Sequence, residues 1–184
     1  MLAALTAVGA LVTIPLGPVP FTLQSLVVPL AGALLGPAGG FLSQVVYLLL
    51  GFAGLPIFAG FSSGVGMLAA PTGGFLLSFP LAAAVAGWLT RARSGRPQGF
   101  WRVFLAMVAA DVVVFLIGVP WLAYTIGPAR GGSLDLAGAL RLGFLPFALT
   151  DLLKLVLAAF LAMRLRSALG PLLPVAGPAI GRET

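Results

Sequence analysis

Residues 1–90 read MLAALTAVGALVTIPLGPVPFTLQSLVVPLAGALLGPAGGFLSQVVYLLLGFAGLPIFAGFSSGVGMLAAPTGGFLLSFPLAAAVAGWLT, with no Asp, Glu, Lys, Arg or His before Arg91. Ninety consecutive uncharged residues are incompatible with a soluble globule, a disordered tail or a nucleic-acid module. The whole chain of 184 residues agrees: 60% are hydrophobic, 8% are charged and the mean hydropathy is +1.15. A soluble domain carries about 25% charged residues. The composition therefore predicts an all-α polytopic membrane protein, because only helices or closed barrels satisfy their backbone groups in lipid. A barrel would need segments of about ten residues alternating polar and apolar. The runs here are apolar on every side.

The net charge of +6 could point to nucleic acid, but the ten cations sit in short clusters flanking apolar runs. That is the pattern of cytoplasmic loops in membrane proteins. Zero Cys removes disulfides and thiolate chemistry, and zero His removes the commonest general base and metal ligand. No metal site and no catalytic group are predicted.

Apolar runs and Gly/Pro punctuation predict six transmembrane helices, at 1–14, 22–36, 38–52, 74–91, 100–126 and 137–166. The second and third meet at a tight turn, Gly36-Pro37, and are short for full spans. The first is about 14 residues before Pro15, against the roughly 20 needed to cross a bilayer. Met1 is thus expected to lie inside the first helix, with N-terminal residues missing. Residues 1–169 form the transmembrane domain and 170–184 a Pro- and Gly-rich cytoplasmic tail. Arg91, Arg93, Arg96 and Arg102 flank the fourth loop, and Arg164, Arg166 and Arg182 follow the last helix. Arg130 and Arg141 lie opposite. The chain is expected to be multi-pass in the cell (cytoplasmic) membrane, with both termini cytoplasmic and loops 15–21, 53–73 and 127–136 outside. Gly32/Gly36, Ala82/Ala86 and Ala158/Ala162 are small residues four apart, suited to close helix packing.

Two regions go beyond packing. In residues 51–74, seven of 24 positions are Gly and two are Pro, yet Phe52, Ile57, Phe58, Phe61, Met67 and Leu68 would be costly to expose. An irregular apolar loop of this kind should fold back on the bundle and line a cavity. In LPFALTDLLKLVLAAFLA, residues 145–162, Asp151 and Lys154 lie three apart and share one helix face. Unpaired charges there would each cost at least a few kcal/mol, so they should pair and point inward. Asp111, in VAADVVVF, has no partner in sequence. Gln24 and Tyr47 are the better ligand candidates among the neutral polar residues. There is no G-x-x-x-x-G-K-S/T loop to bind ATP and no hydrolase motif.

The motifs P-x-T-x-Q (Pro20 to Gln24), GLP-x-FAG (Gly54 to Gly60), PTGG (Pro71 to Gly74) and PF-x-x-x-D-x-x-K (Pro146 to Lys154) occur in this order. This combination resembles the BioY family of biotin transport proteins, over nearly the whole chain. These are substrate-binding S components of energy-coupling factor (ECF) transporters. The resemblance implies a six-helix S-component bundle with an apolar glycine-rich outer loop. It implies no enzyme activity, and biotin as transported substrate rather than cofactor. Asp151 and Lys154 would bind the ureido head, with Gln24, Tyr47 and Phe58 lining the pocket. The implied partners are a transmembrane coupling subunit and two cytosolic ATPase subunits, which would use the ATP. Ala3 and Ala7 match the docking pattern of small residues on the first helix. Asp111 is outside the signature. The alternative reading is a proton-coupled secondary carrier of a small neutral or anionic solute, with Asp111 or Asp151 as relay. A membrane enzyme has no supporting motif.

Overall fold

The computed structural model describes residues 1–91, 98–129 and 134–169. Along them run α1 (Leu2–Leu11), β1 (Thr13–Ile14), β2 (Phe21–Thr22), α2 (Gln24–Phe52), α3 (Gly73–Leu89), α4 (Phe100–Ala129), α5 (Leu136–Gly143) and α6 (Leu145–Leu169). The segments of the tail and of the loops containing Arg93, Arg96 and Arg130 lie outside the described residues.

The first helix stops at Leu11, three residues short of the expected end. Val12, Thr13 and Ile14 are all β-branched, and Ile14 precedes Pro15, which pushes it to extended backbone. Thr13 and Ile14 instead pair antiparallel with Thr22 and Phe21. This small ribbon is a feature that the all-α expectation did not contain. The wall of α1 is tied to α2 by buried Thr6 and Gln44, whose Oγ1 and Nε2 lie 3.2 Å apart.

The two helices expected at 22–36 and 38–52 appear as α2, broken at Gly36, whose φ of 76° and ψ of 179° are not helical. Glycine is needed there because an L side chain rarely adopts that φ. Pro37 then opens the second arm, where its missing N–H costs no helical hydrogen bond. The arms return against each other: a Cβ added at Gly40 would lie 2.6 Å from the Cα of Gly32. Gly32 also faces α3 so closely that its Cβ would stand 1.9 Å from the Ala83 carbonyl oxygen. Ala82, Ala83, Ala86, Ala158 and Ala159 are fully buried, in keeping with packing through small residues.

The last expected helix, 137–166, is instead two. Phe144 (φ −121°, ψ −56°) separates α5 from α6. In a continuous helix the ring of Pro146 would collide with the carbonyl four residues back. Restarting at Leu145 puts Pro146 in a first turn, where it fits. Asp135 caps α5 by accepting from Gly138 N–H at 2.9 Å.

Among the described residues, three helical stretches are long and apolar enough to cross a membrane: Gln24–Phe52, Phe100–Ile126 and Leu145–Ala168. The first owes its length to two arms, so spans are not counted from helix length alone. Leu105 and Leu116 on α4 and Leu149, Leu153 and Phe160 on α6 are exposed. Helices apolar on the outside as well as the inside belong in lipid. Among the described residues the core divides into two clusters. Tyr47, Phe58, Phe75, Phe79 and Phe147 belong to the one at the loop end. Leu30, Leu34, Val103, Met107 and Ala158 belong to the one at the opposite end.

At that opposite end, Arg166 does more than mark a flank. Its Nε donates to the Ala33 carbonyl at 2.8 Å and its Nη1 to the Thr90 carbonyl at 2.9 Å. Nη2 reaches Ala33 O and Thr90 Oγ1 as well. One guanidinium thus serves two helix ends, at the close of the first α2 arm and of α3, where carbonyls lack intrahelical donors.

Candidate functional site

The loop between α2 and α3 folds back on the bundle as its composition demands. Phe58 is fully buried over Gly51, where a Cβ would sit 2.1 Å from the ring. Gly64 N–H donates to Gly51 O at 2.8 Å, and Trp121 Nε1 on α4 donates to Ala70 O at 3.3 Å. The loop also meets the ribbon, with Gly60 N–H directed at Thr13 Oγ1. Phe61 departs from expectation. It is 67% exposed, with a φ of 58°. Its neighbours Gly60 and Gly64 take the turns, and its ring is left outside.

Under the ribbon and this loop lies a cavity of about 260 Å³. Small-ligand pockets measure about 300–1,000 Å³, so this one suits a compact molecule. Its apolar walls are Phe58, Met67, Phe75, Leu76, Phe79, Val114, Phe115 and Phe147, and its polar groups Thr22, Gln24, Ser25, Thr72, Asp111, Asp151 and Lys154.

The polar groups are organised by one ion pair. Lys154 Nζ stands 2.7 Å from Asp151 Oδ1, with both residues over nine-tenths buried. The break before α6 sets their depth, two to three turns from the start of that helix. Nζ also donates to the Thr22 carbonyl at 2.7 Å and to Ser25 Oγ at 3.0 Å, and lies 3.7 Å from the centre of the Phe21 ring. Ser25 in turn donates to Asp151 Oδ1 at 2.9 Å. All three ammonium protons are therefore committed inside the protein. The hydrogen bonds of Asp151 among the described residues run to Oδ1, which leaves Oδ2 as unused acceptor capacity on a residue that lines the cavity.

Gln24 borders the cavity, and its Nε2 donates to Tyr47 Oη at 2.7 Å. Tyr47 is fully buried and stands one layer behind the wall. Its hydroxyl donates to the Ile57 carbonyl at 3.1 Å, and its ring meets Phe58 edge-on at 5.4 Å. Of the five expected ligand residues, Asp151, Lys154, Gln24 and Phe58 border the cavity directly, and Tyr47 supports two of them. Ala3 and Ala7 are half-buried against the loop-end core, beside the exposed Leu5 and Val8 on α1.

Sequence reasoning did not single out Ser25, the Thr22 carbonyl or Phe21, all partners of Lys154. A hydroxyl adjoining Gln24 at the mouth of a helix was the available signal for Ser25. Nothing in sequence marks a backbone carbonyl as a ligand for a lysine 132 residues away. Asp111, partnerless in sequence, proves to share the cavity with the ion pair.

Comparison with known proteins gives a consistent result. The BioY family model matches residues 1–171. A probable biotin transporter BioY of Pyrococcus horikoshii is 42% identical over 163 residues, covering 89% of this chain and 90% of that protein. A biotin transporter BioY of Thermotoga maritima is 41% identical over 163 residues, with the same coverage of 89% and 90%. A crystal structure of the S-component for biotin from an ECF-type ABC transporter superposes with a TM-score of 0.78 at 25% identity, covering 90% of this chain and 87% of that one. With a family match running through all six helices, a like fold and relatives at this identity, this chain belongs to the BioY family.

Proposed function

We propose that the protein captures biotin with high affinity and carries it across the cytoplasmic membrane as the S component of an ECF-type ABC transporter. The observation that carries this reading is the Asp151–Lys154 pair. It is a buried charge pair that faces a compact cavity rather than being sealed in the core. A buried ion pair is weak support for stability alone, since apolar replacements often serve as well. An ionisable pair inside the membrane is by default a site.

The ureido head of biotin is neutral, with N–H donors flanking a carbonyl acceptor. Asp151 Oδ2 accepts from one N–H. Lys154 turns toward the carbonyl, which replaces Ser25 as a partner of Nζ. Gln24 has a second amide proton free for the same end of the ligand, and Tyr47 holds Gln24 in place. Phe58 and the other aromatic walls take the thiophane ring and chain. Matching both donors and acceptors excludes analogues that lack them, because the buried partners would be left unpaired.

The ribbon and the 53–72 loop act as the cover of this pocket, on the outer side of the membrane, with both termini cytoplasmic. The distribution of Arg91, Arg102, Arg164 and Arg166 supports that orientation. The partners are a transmembrane coupling subunit and two cytosolic ATPases, consistent with the lack of a phosphate-binding loop in this sequence. Ala3 and Ala7 contribute small residues to the docking face on α1. Residues 170–184 are the cytoplasmic tail.

The test is calorimetry on detergent-purified protein. Asp151→Asn combined with Lys154→Ala should abolish high-affinity biotin binding while the protein still inserts. Unchanged affinity overturns the assignment. Uptake in proteoliposomes that requires added ATPase partners separates the S component from a carrier driven by a proton gradient alone.

A further inference from the structure

Asp111 is the ionisable group of the cavity that the reading above leaves without a task. It projects from α4 into a wall shared with Val114 and Phe115, next to the α6 wall that carries Asp151 and Lys154. Among the described residues, the cavity's one ion pair joins Lys154 to Asp151, and Asp111 enters no hydrogen bond. Nor is its carboxylate sealed away. The buried side-chain atom without a partner among the described residues is Gln98 Oε1, far from the cavity. The Asp111 oxygens are therefore not fully buried, and the residue lines the cavity without a partner among the described residues.

On its other flank Asp111 borders an apolar cleft lined by Val112, Leu116, Leu152 and Leu155, which offers it no donor. A carboxylate at membrane depth is costly unless it finds one. The protein has few to give. The three protons of Lys154 are taken by Thr22, Ser25 and Asp151, and the Ser25 hydroxyl proton goes to Asp151. The other donors at the cavity are the second amide proton of Gln24, which the reading above gives to the ligand, and the Thr72 hydroxyl. Asp111 makes no hydrogen bond to either among the described residues. The remaining source of a donor is the ligand. A cyclic urea carries N–H groups on both sides of its carbonyl, diverging from each other, so one carboxylate oxygen satisfies one of them. The second needs an acceptor from another direction. Asp111 and Asp151 come from neighbouring helices and open on the same small cavity.

We infer that Asp111 is the second ureido acceptor, the residue that makes the site demand both ring N–H groups. This rests on the biotin reading of the cavity and adds a specificity-determining residue to it. Wild type, Asp111→Ala and Asp111→Asn are titrated by calorimetry with biotin and with its two mono-N-methyl ring analogues. Wild type binds biotin and rejects both analogues. Asp111→Ala loses about 10- to 100-fold in biotin affinity, the range for a hydrogen bond to a charged group. The analogue methylated on the nitrogen facing Asp111 binds this variant at least as well as biotin does, because its methyl fills the vacated space. The other analogue stays rejected through Asp151. Asp111→Asn keeps the side-chain volume, and should the alanine variant not fold it reads the same effect as a smaller penalty for that one analogue. Biotin affinity within about threefold of wild type in the variants that fold overturns the inference. So does a loss of biotin affinity with no gain for either analogue, which is the mark of a packing role. If wild type itself ignores biotin, the reading of the cavity falls with it. If wild type binds, the Asp151→Asn, Lys154→Ala variant does not and the Asp111 variants match wild type, only the role of Asp111 falls.

Discussion

The two ends of this bundle handle charge in lipid in opposite ways. At one end Arg166 spends its donors on the carbonyls of Ala33 and Thr90 and on Thr90 Oγ1. Its partners are helix ends that need donors, and the surrounding glycines and alanines close the packing. At the other end Lys154 is equally committed, but Asp151 and Asp111 both line the cavity, and neither Asp151 Oδ2 nor the Asp111 carboxylate has a hydrogen-bond partner among the described residues. The first arrangement is complete without a ligand. The second, on the reading proposed above, is completed by a ligand that brings donors. What distinguishes the two here is not only burial, although Arg166 is half-buried and the Asp151–Lys154 pair more deeply so. It is also the acceptor capacity left over after the internal bonds are counted.

That contrast can be broken or sharpened by substitution. The largest effect is expected at Gly32, whose added Cβ would meet the Ala83 carbonyl oxygen at 1.9 Å. Its nearest neighbours are all α3 backbone, with no flexible atom to move. Gly32→Val should cost at least about 3 kcal/mol by overpacking, read as loss of monodisperse protein in detergent and of thermal stability. A variant that melts like wild type would mean that the closed end is not held by close backbone approach. Arg166→Met comes next. It strips donors from two helix ends and should lower stability by about 1–3 kcal/mol while leaving biotin affinity within about threefold. The paired variant at Asp151 and Lys154 should do the reverse, losing the ligand with less loss of fold. If Arg166→Met abolishes binding as completely, the two ends are not separable and the contrast fails. The smallest effect is expected for Tyr47→Phe. It keeps the ring against Phe58 and removes the hydroxyl between Gln24 and Ile57, so biotin affinity should fall about fivefold, one hydrogen bond's worth. A loss like that of the ion-pair variant would instead put Tyr47 in direct contact with ligand.

The loop end also shows where local sequence competes with tertiary packing. Phe58 and Phe61 stand three residues apart in the same glycine-rich loop and read alike as apolar residues that should be hidden. Phe58 finds the space over Gly51 and is fully buried, whereas Phe61 is 67% exposed. Hydrophobicity argues that such a loop folds back. Which of its rings goes in depends on a glycine in another element, and no local pattern records that.

By itself the sequence determined the membrane class, because ninety uncharged residues leave no other solvent for the backbone. It also determined the Gly36-Pro37 reversal, since the φ found there is one that glycine alone takes easily, and the pairing of Asp151 with Lys154, since two charges three apart in an apolar helix have few alternatives. These are consequences of local chemistry. Tertiary structure decided what depends on distant chain meeting distant chain. It placed the Thr22 carbonyl and Ser25 on Lys154, set Tyr47 behind Gln24 rather than beside the ligand space, brought Asp111 to the ion pair's cavity and turned Arg166 from a marker of sidedness into a double helix cap. The break between α5 and α6 lies between the two. Pro146 announces it locally, but its effect, the depth at which Asp151 and Lys154 enter the cavity, exists only once α6 is packed against α2 and α4.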